Sequence, residues 1–146
     1  MFIIPEKRGD ELMNIGKRFY CSRCLHEISD ECVCEKCSYD PSSEADPNAI
    51  EEGTTLYNHR FQIGAVRRKL KAGYVYGAYD FLRHRPVYIF EYFPELSLEH
   101  DKFSDSVLCV NHEHEAEFTE GKSKLLKRLR GRYEFFCENN TVYVFR

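Results

Sequence analysis

No run of about 18 consecutive apolar residues occurs in this chain, which excludes a transmembrane helix. The opening Met1-Phe2-Ile3-Ile4-Pro5 is too short for the apolar core of an export signal, and charged residues follow at once. No internal repeat and no long low-complexity tract is present. No large excess of positive charge exists either: the net charge is -3, which argues against a protein that coats nucleic acid over its whole surface. No Ser/His/Asp or Cys/His set carries a catalytic pattern. What remains is 146 residues, 42% hydrophobic and 31% charged, enough for one ordinary domain or a small domain beside a metal-stapled knuckle.

Charge is unevenly spread. Residues 1–53 hold 12 Asp/Glu and 6 Lys/Arg, a balance of -6, and residues 54–146 hold 12 and 15, a balance of +3. The stretch from Tyr39 to Gly53 has two prolines, many polar residues and little apolar content, and reads as a linker.

Seven cysteines without an export signal point to a reducing, cytoplasmic setting, where spaced cysteines more often hold metal than form disulfides. Cys21-x2-Cys24 is followed by Cys34-x2-Cys37. Each short loop aims two thiolates at one point, so the four suit one tetrahedral Zn²⁺. With four protein ligands no position is left for catalytic water, and the metal is expected to be structural. Some 20 residues cannot bury a core, so metal binding is expected to supply much of this segment's folding energy. Cys32 is expected to be a free thiol, and Cys109 and Cys137 to pack in the core. Acidic Glu27, Asp30 and Glu31 in the ribbon loop disfavour phosphate, which leaves a protein-contacting or spacer ribbon.

The rest reads as strands with one helix. Arg60 to Val66 alternates, Tyr74 to Phe81 is aromatic-rich, and Val87 to Phe93 is stopped by Pro94. Arg67, Arg68, Lys69 and Lys71 fall in a basic turn. Residues 95–115 look irregular. Ala116 to Arg130 is the helix candidate, weakened by Gly121. Tyr133–Cys137 and Val142–Phe145 flank Asn139-Asn140 as a hairpin. The class is α+β, five antiparallel strands and one helix. Two candidate sites have ordinary readings as wet surface: the basic turn, and Lys122 to Arg132 along the helix. His112 and His114 would share one side of an extended chain, with no third metal ligand nearby.

Several strings together resemble the N-lobe of bacterial serine/threonine protein kinases that carry an N-terminal zinc ribbon. They are Gly53-Thr54-Thr55-Leu56, Arg60-Phe61-Gln62-Ile63-Gly64, Arg85-Pro86-Val87-Tyr88-Ile89-Phe90, Glu91-Tyr92-Phe93-Pro94 and Glu138-Asn139-Asn140-Thr141. The resemblance covers nearly everything from Tyr20 onward. It implies an N-terminal arm (1–19), a ribbon (20–39), a linker (40–53) and a kinase N-lobe-like domain (54–146).

The departures from the family bear on function. Its phosphate-cradling glycines fall on Arg68, Leu70 and Gly73, of which one survives. Its catalytic lysine falls on Phe90, and its helix glutamate near Arg128. The chain ends at Arg146, around the family's fifth strand, without the H-R-D and D-F-G motifs. Neither phosphoryl transfer nor ATP binding is expected. Without a second lobe the underside of the sheet, including Phe90, Tyr143 and Phe145, is expected to seek a protein partner or a second copy. The expectation is a non-catalytic, protein-binding regulatory module. The alternative is a small inhibitor, of phage or mobile-element type, of a nucleic-acid-associated complex such as a CRISPR effector, using residues 67–71.

Overall fold

The computed structural model describes residues 2–5, 17–28, 33–40 and 43–146. Most of the expected arm, and Cys32, Asp30 and Glu31, lie outside the described residues. Three short strands, β1 (Phe2–Pro5), β2 (Lys17–Tyr20) and β3 (Glu27–Ile28), pair antiparallel in the order β1-β2-β3. The described parts of the arm are thus strands of the ribbon.

A six-stranded sheet follows, where five strands were expected. It comprises β4 (Thr55–Leu56), β5 (Phe61–Leu70), β6 (Gly73–Asp80) and β7 (Arg85–Tyr92). A separate hairpin comes next, β8 (Leu98–His100) with β9 (Val107–Cys109), then a 3-10 turn (His112–His114) and helix α1 (Glu115–Leu129). Strands β10 (Glu134–Glu138) and β11 (Thr141–Phe145) complete the sheet. Its order is β10-β11-β7-β6-β5-β4. The extra strand is β4, whose Thr55 and Leu56 pair with Gln62 and Phe61. Two residues are too few for an alternation to show in the sequence.

Period-two patterning sets the faces. Val87, Ile89 and Glu91 of β7 are buried, and Pro86, Tyr88, Phe90 and Tyr92 between them are half-buried. The sheet curls until its first and last strands approach. Phe61 of β5 lies 5.6 Å from Phe136 of β10 and 4.8 Å from Phe145 of β11, and Tyr57 stacks on Phe136 at 4.6 Å. The result is nearly a barrel, filled by Phe61, Ile63, Tyr74, Tyr76, Ile89, Phe136 and Tyr143.

Local chemistry fixes the turns. Asn139 and Asn140 join β10 to β11 with φ of 52° and 58°, a left-handed conformation that asparagine tolerates and hairpins require. At the end of β6, Asp80 is fully buried and accepts from Arg60 Nε and Nη2, at 3.0 and 2.9 Å. It also accepts the Leu82 N–H at 3.0 Å.

Three expectations change. The segment 67–71 is not one turn: β5 runs to Leu70, and only Lys71 and Ala72 turn. Pairing of Arg68, Lys69 and Leu70 with Val75, Tyr74 and Gly73 holds the basic residues extended. Residues 95–115 are not all irregular, since they carry β8, β9 and the 3-10 turn. Finally, residues 43–53 follow the sheet closely. Ile50 is buried, its N–H donates to the Tyr76 hydroxyl at 3.0 Å, and Asp46 accepts from the Tyr74 hydroxyl at 3.0 Å.

Candidate metal centre and sheet face

The two CxxC loops fold alike. The Cys21 carbonyl accepts the Leu25 N–H at 2.9 Å, and the Cys34 carbonyl accepts the Ser38 N–H at 2.8 Å. Leu25 and Ser38 close these loops at φ of 63° and 60°. The four sulfurs of Cys21, Cys24, Cys34 and Cys37 lie within 4.8 Å of one another. Cys21 and Cys37 are 3.7 Å apart, and Cys24 and Cys34 are 3.6 Å apart. A tetrahedron of Zn–S bonds of about 2.3 Å has edges of about 3.8 Å. The separations therefore fit one metal ion and are far too long for disulfides.

Thiolates are also prepared unequally. Burial pushes the Cys21 thiol up to about 12, against backbone N–H groups of Cys24 and Arg23. At Cys34 burial is outweighed by backbone N–H groups of Cys37 and Lys36, and the thiol comes down to about 7. A bound cation would favour all four thiolates, and its chemistry here would be to cross-link the two loops.

The first loop is clamped to the outer face of the large sheet. The Ala65 N–H donates to the Ser22 carbonyl at 3.1 Å, and the Tyr88 hydroxyl donates to the Cys24 carbonyl at 3.0 Å. Gly77 lies between these contacts. A Cβ on it would sit 1.9 Å from the Ser22 carbonyl oxygen. Beside it Tyr79 packs with Tyr20 and Leu25.

Adjacent to this clamp, strand register lines up Val75, Phe90, Val144 and Phe135 across four strands on the same outer face. All four are half-buried. Arg68, paired with Val75, is exposed at one end of the stripe. On the far side Tyr92 stacks on Phe118 of α1 at 5.7 Å. Gly121 lies against the end of the Tyr92 side chain, where a Cβ would meet the hydroxyl at 2.0 Å.

The opposite, inner face holds a polar group that sequence reasoning missed. Glu91 has no exposed surface. Its carboxylate accepts from the hydroxyls of Tyr76 at 3.0 Å and Tyr143 at 3.1 Å, and its Oε2 lies 3.0 Å from His100 Nε2. Burial, and then the charge of Glu91, push both tyrosine hydroxyls up. At His100 burial opposes the charge, but the hydrogen bond and charge of Glu91 prevail and the pKa is raised. The available signal was an acidic residue in the inward register of Val87 and Ile89.

The remaining candidates are dispersed. Tyr143 and Phe145 are buried in the core and offer no partner surface, because their alternation points them at Glu91 and Phe61 rather than outward. Phe90 lies on the outer face, half-buried. Arg67 is half-buried, and Arg68, Lys69 and Lys71 are exposed. Lys69 reaches over the Tyr74 ring at 5.4 Å. Cys109 is half-buried and packs against the core, as expected, whereas Cys137 is exposed on the edge strand β10 and is not a core residue. His112 and His114 sit in a 3-10 turn and engage Glu115 and Glu117 instead of converging. Among the described residues, the four cysteines are the group that could hold a metal ion. No helix among them is long and apolar enough to cross a membrane.

The fold has a solved counterpart. The structure described as "PpkA-294 apo form" matches with a TM-score of 0.59 and 22% sequence identity, over 67% of this chain and 38% of that one. The present chain thus spans well under half of that neighbour, and the likeness is one of fold. No family model matches the sequence, and no curated protein matches it.

Proposed function

We propose that this chain is a non-catalytic, cytoplasmic binding module: a structural zinc ribbon clamped on a degenerate kinase N-lobe, which acts by docking on another protein. The observation that carries this reading is the apolar stripe of Val75, Phe90, Val144 and Phe135 between the ribbon and α1. The family resemblance puts the catalytic lysine at Phe90, where an aromatic ring cannot neutralise phosphate. On the same face Tyr88 is engaged by the ribbon, so space beside Phe90 is taken by the chain itself. A half-exposed apolar band flanked by Arg68 suits a protein surface better than a nucleotide.

The test is affinity capture from the source cell's lysate with wild type and Phe90→Glu, with and without nuclease. A nuclease-resistant partner lost on Phe90→Glu supports the reading. A partner indifferent to Phe90→Glu, yet lost on nuclease treatment or on charge reversal at Arg67, Arg68, Lys69 and Lys71, would replace it with the nucleic-acid-associated alternative. Exposure of Arg68, Lys69 and Lys71 along one projecting hairpin favours that second reading.

A further inference from the structure

We infer that the C-terminal end of α1, with the loop that leaves it, binds single-stranded nucleic acid: Lys127, Arg128, Arg130 and Arg132 meet the phosphates, and the Tyr133 ring stacks on a base. From Lys122 to Arg132 the chain carries six Lys/Arg and no Asp or Glu. What these cations do in the fold decides between a wet helix face and a binding surface. Lys122 is spent on Asn140, and Lys124 holds Glu120 at 3.0 Å. The other four are exposed, and among the described residues none of them has an ion-pair partner. Their side chains are not needed to cap the helix either. The Leu126 carbonyl accepts the Arg130 N–H at 3.1 Å, and the Leu129 carbonyl accepts the N–H groups of Arg132 and Tyr133, both at 3.0 Å. Gly131, at φ of 75°, makes the left-handed turn of this cap. The helix dipole accounts for Lys127 and Arg128 in the last turn, but Arg130 and Arg132 lie past the end of α1.

Tyr133 follows this run directly and is 56% exposed. Its backbone is fixed on both sides. Its N–H is held by Leu129, and the next residue, Glu134, opens β10. Arg83 grips both oxygens of Glu134, with Nη1 donating to Oε2 at 2.8 Å and Nη2 to Oε1. The charges of Arg60 and Arg85 act on the same carboxylate. The acid beside the ring is thus neutralised and does not repel a phosphate. A positioned ring next to unpaired cations is what a single strand requires, since each nucleotide brings a base face and a charge. A duplex hides its base faces, and an acidic peptide would leave the ring idle. This surface is also distinct from the basic β5–β6 hairpin, because Arg83 sits at the opposite end of β6 from that turn.

Fluorescence anisotropy of labelled oligouridylate and oligothymidylate with the zinc-loaded full chain, over a range of salt concentrations, tests this. Wild type is expected to bind, and tighter binding of one strand identifies RNA or DNA as the occupant. Four phosphate contacts at about -0.7 each give log K against log salt a slope of about -3. Arg130→Ala with Arg132→Ala should halve that slope. Tyr133→Ala should weaken binding about tenfold at unchanged slope, and Tyr133→Phe should bind as wild type. All three positions are exposed, so circular dichroism and zinc content should stay as in wild type. Charge reversal at Arg68 and Lys69 should leave binding intact. Four results would each overturn the inference: no binding at low salt, equal binding of a duplex, indifference to Tyr133→Ala, or loss on reversal at Arg68 and Lys69. Competition by polyglutamate as strong as by unlabelled strand would also overturn it, in favour of an acidic protein.

Discussion

His100 Nε2 lies 3.0 Å from Glu91 Oε2, and the carboxylate it meets has no exposed surface. The imidazole is 10% exposed and belongs to the β8–β9 hairpin, so one ion pair joins that hairpin to the inner face of the sheet. Removing one partner of such a pair leaves a buried charge without compensation. Glu91→Ala is therefore expected to cost about 3 kcal/mol or more in urea unfolding, above the roughly 2 kcal/mol expected for Tyr143→Phe, which loses the bond donated to the Glu91 carboxylate and the one accepted from Asn139 Nδ2.

The same pair gives stability a pH dependence. The folded pKa of His100 is raised above the ordinary 6.5, while the unfolded imidazole has no such partner. Its contribution is then fully present below the unfolded pKa and is lost as pH rises through the folded one. With zinc saturating throughout, the urea midpoint of wild type should fall as pH is taken upward from 6.5, the ordinary value. His100→Gln should flatten that part of the curve. Equal slopes for the two proteins would assign the dependence to other groups.

Gly77 makes a third prediction, about how the ribbon is held. Its position beneath the Ser22 carbonyl leaves no room for a methyl group. Gly77→Ala should separate the ribbon from the sheet, costing about 1–3 kcal/mol as overpacking, and should speed zinc release to a chelator. Tyr88→Phe deletes only the hydroxyl bonded to Cys24 and should cost about 1 kcal/mol. If zinc release in Gly77→Ala matches wild type, the clamp does not secure the metal loops.

Much of this architecture was legible in the sequence, for identifiable reasons. Paired CxxC loops encode a ligand set in a few residues, and the cysteine cluster formed as read. Long alternating strands declare their faces, so β5, β6, β7, β10 and β11 were found within a few residues of their ends. What escaped depends on distant groups meeting. β4 is too short to show a period, and Glu91 matters only because Tyr76, Tyr143 and His100 converge on it. Tyr143 and Phe145 were assigned outward because the resemblance suggested an open underside; their register decides otherwise. Gly121 weakens the helix by propensity, and its place against the Tyr92 hydroxyl is a tertiary contact that no local pattern encodes.

Metal removal tests the ribbon directly. Sulfur separations of 3.6 and 3.7 Å match a bound tetrahedral ion. The purified chain should carry about one zinc per molecule by mass spectrometry of the metal, and Cys24→Ser should reduce that occupancy sharply. Chelation should expose the clamped face at Gly77 and Tyr79, which hydrogen exchange would report, while the β10–β11 hairpin stays protected. Full metal content in Cys24→Ser would move the ligand set elsewhere.

Nucleotide is the last test, because it addresses the face where the resemblance places kinase chemistry. The resemblance puts the catalytic lysine at Phe90, and the neighbouring Tyr88 is bonded to the Cys24 carbonyl. Restoring the charge alone should not restore binding, since the ribbon still covers the adjoining row of the sheet. Wild type and Phe90→Lys are both expected to show unchanged melting temperatures with ATP and Mg²⁺, whereas Phe90→Lys combined with Tyr88→Ala restores the charge and removes the bulky contact. A clear upward shift in wild type would mean that the face binds nucleotide despite Phe90. A shift confined to the double variant would identify these two side chains as what closes it.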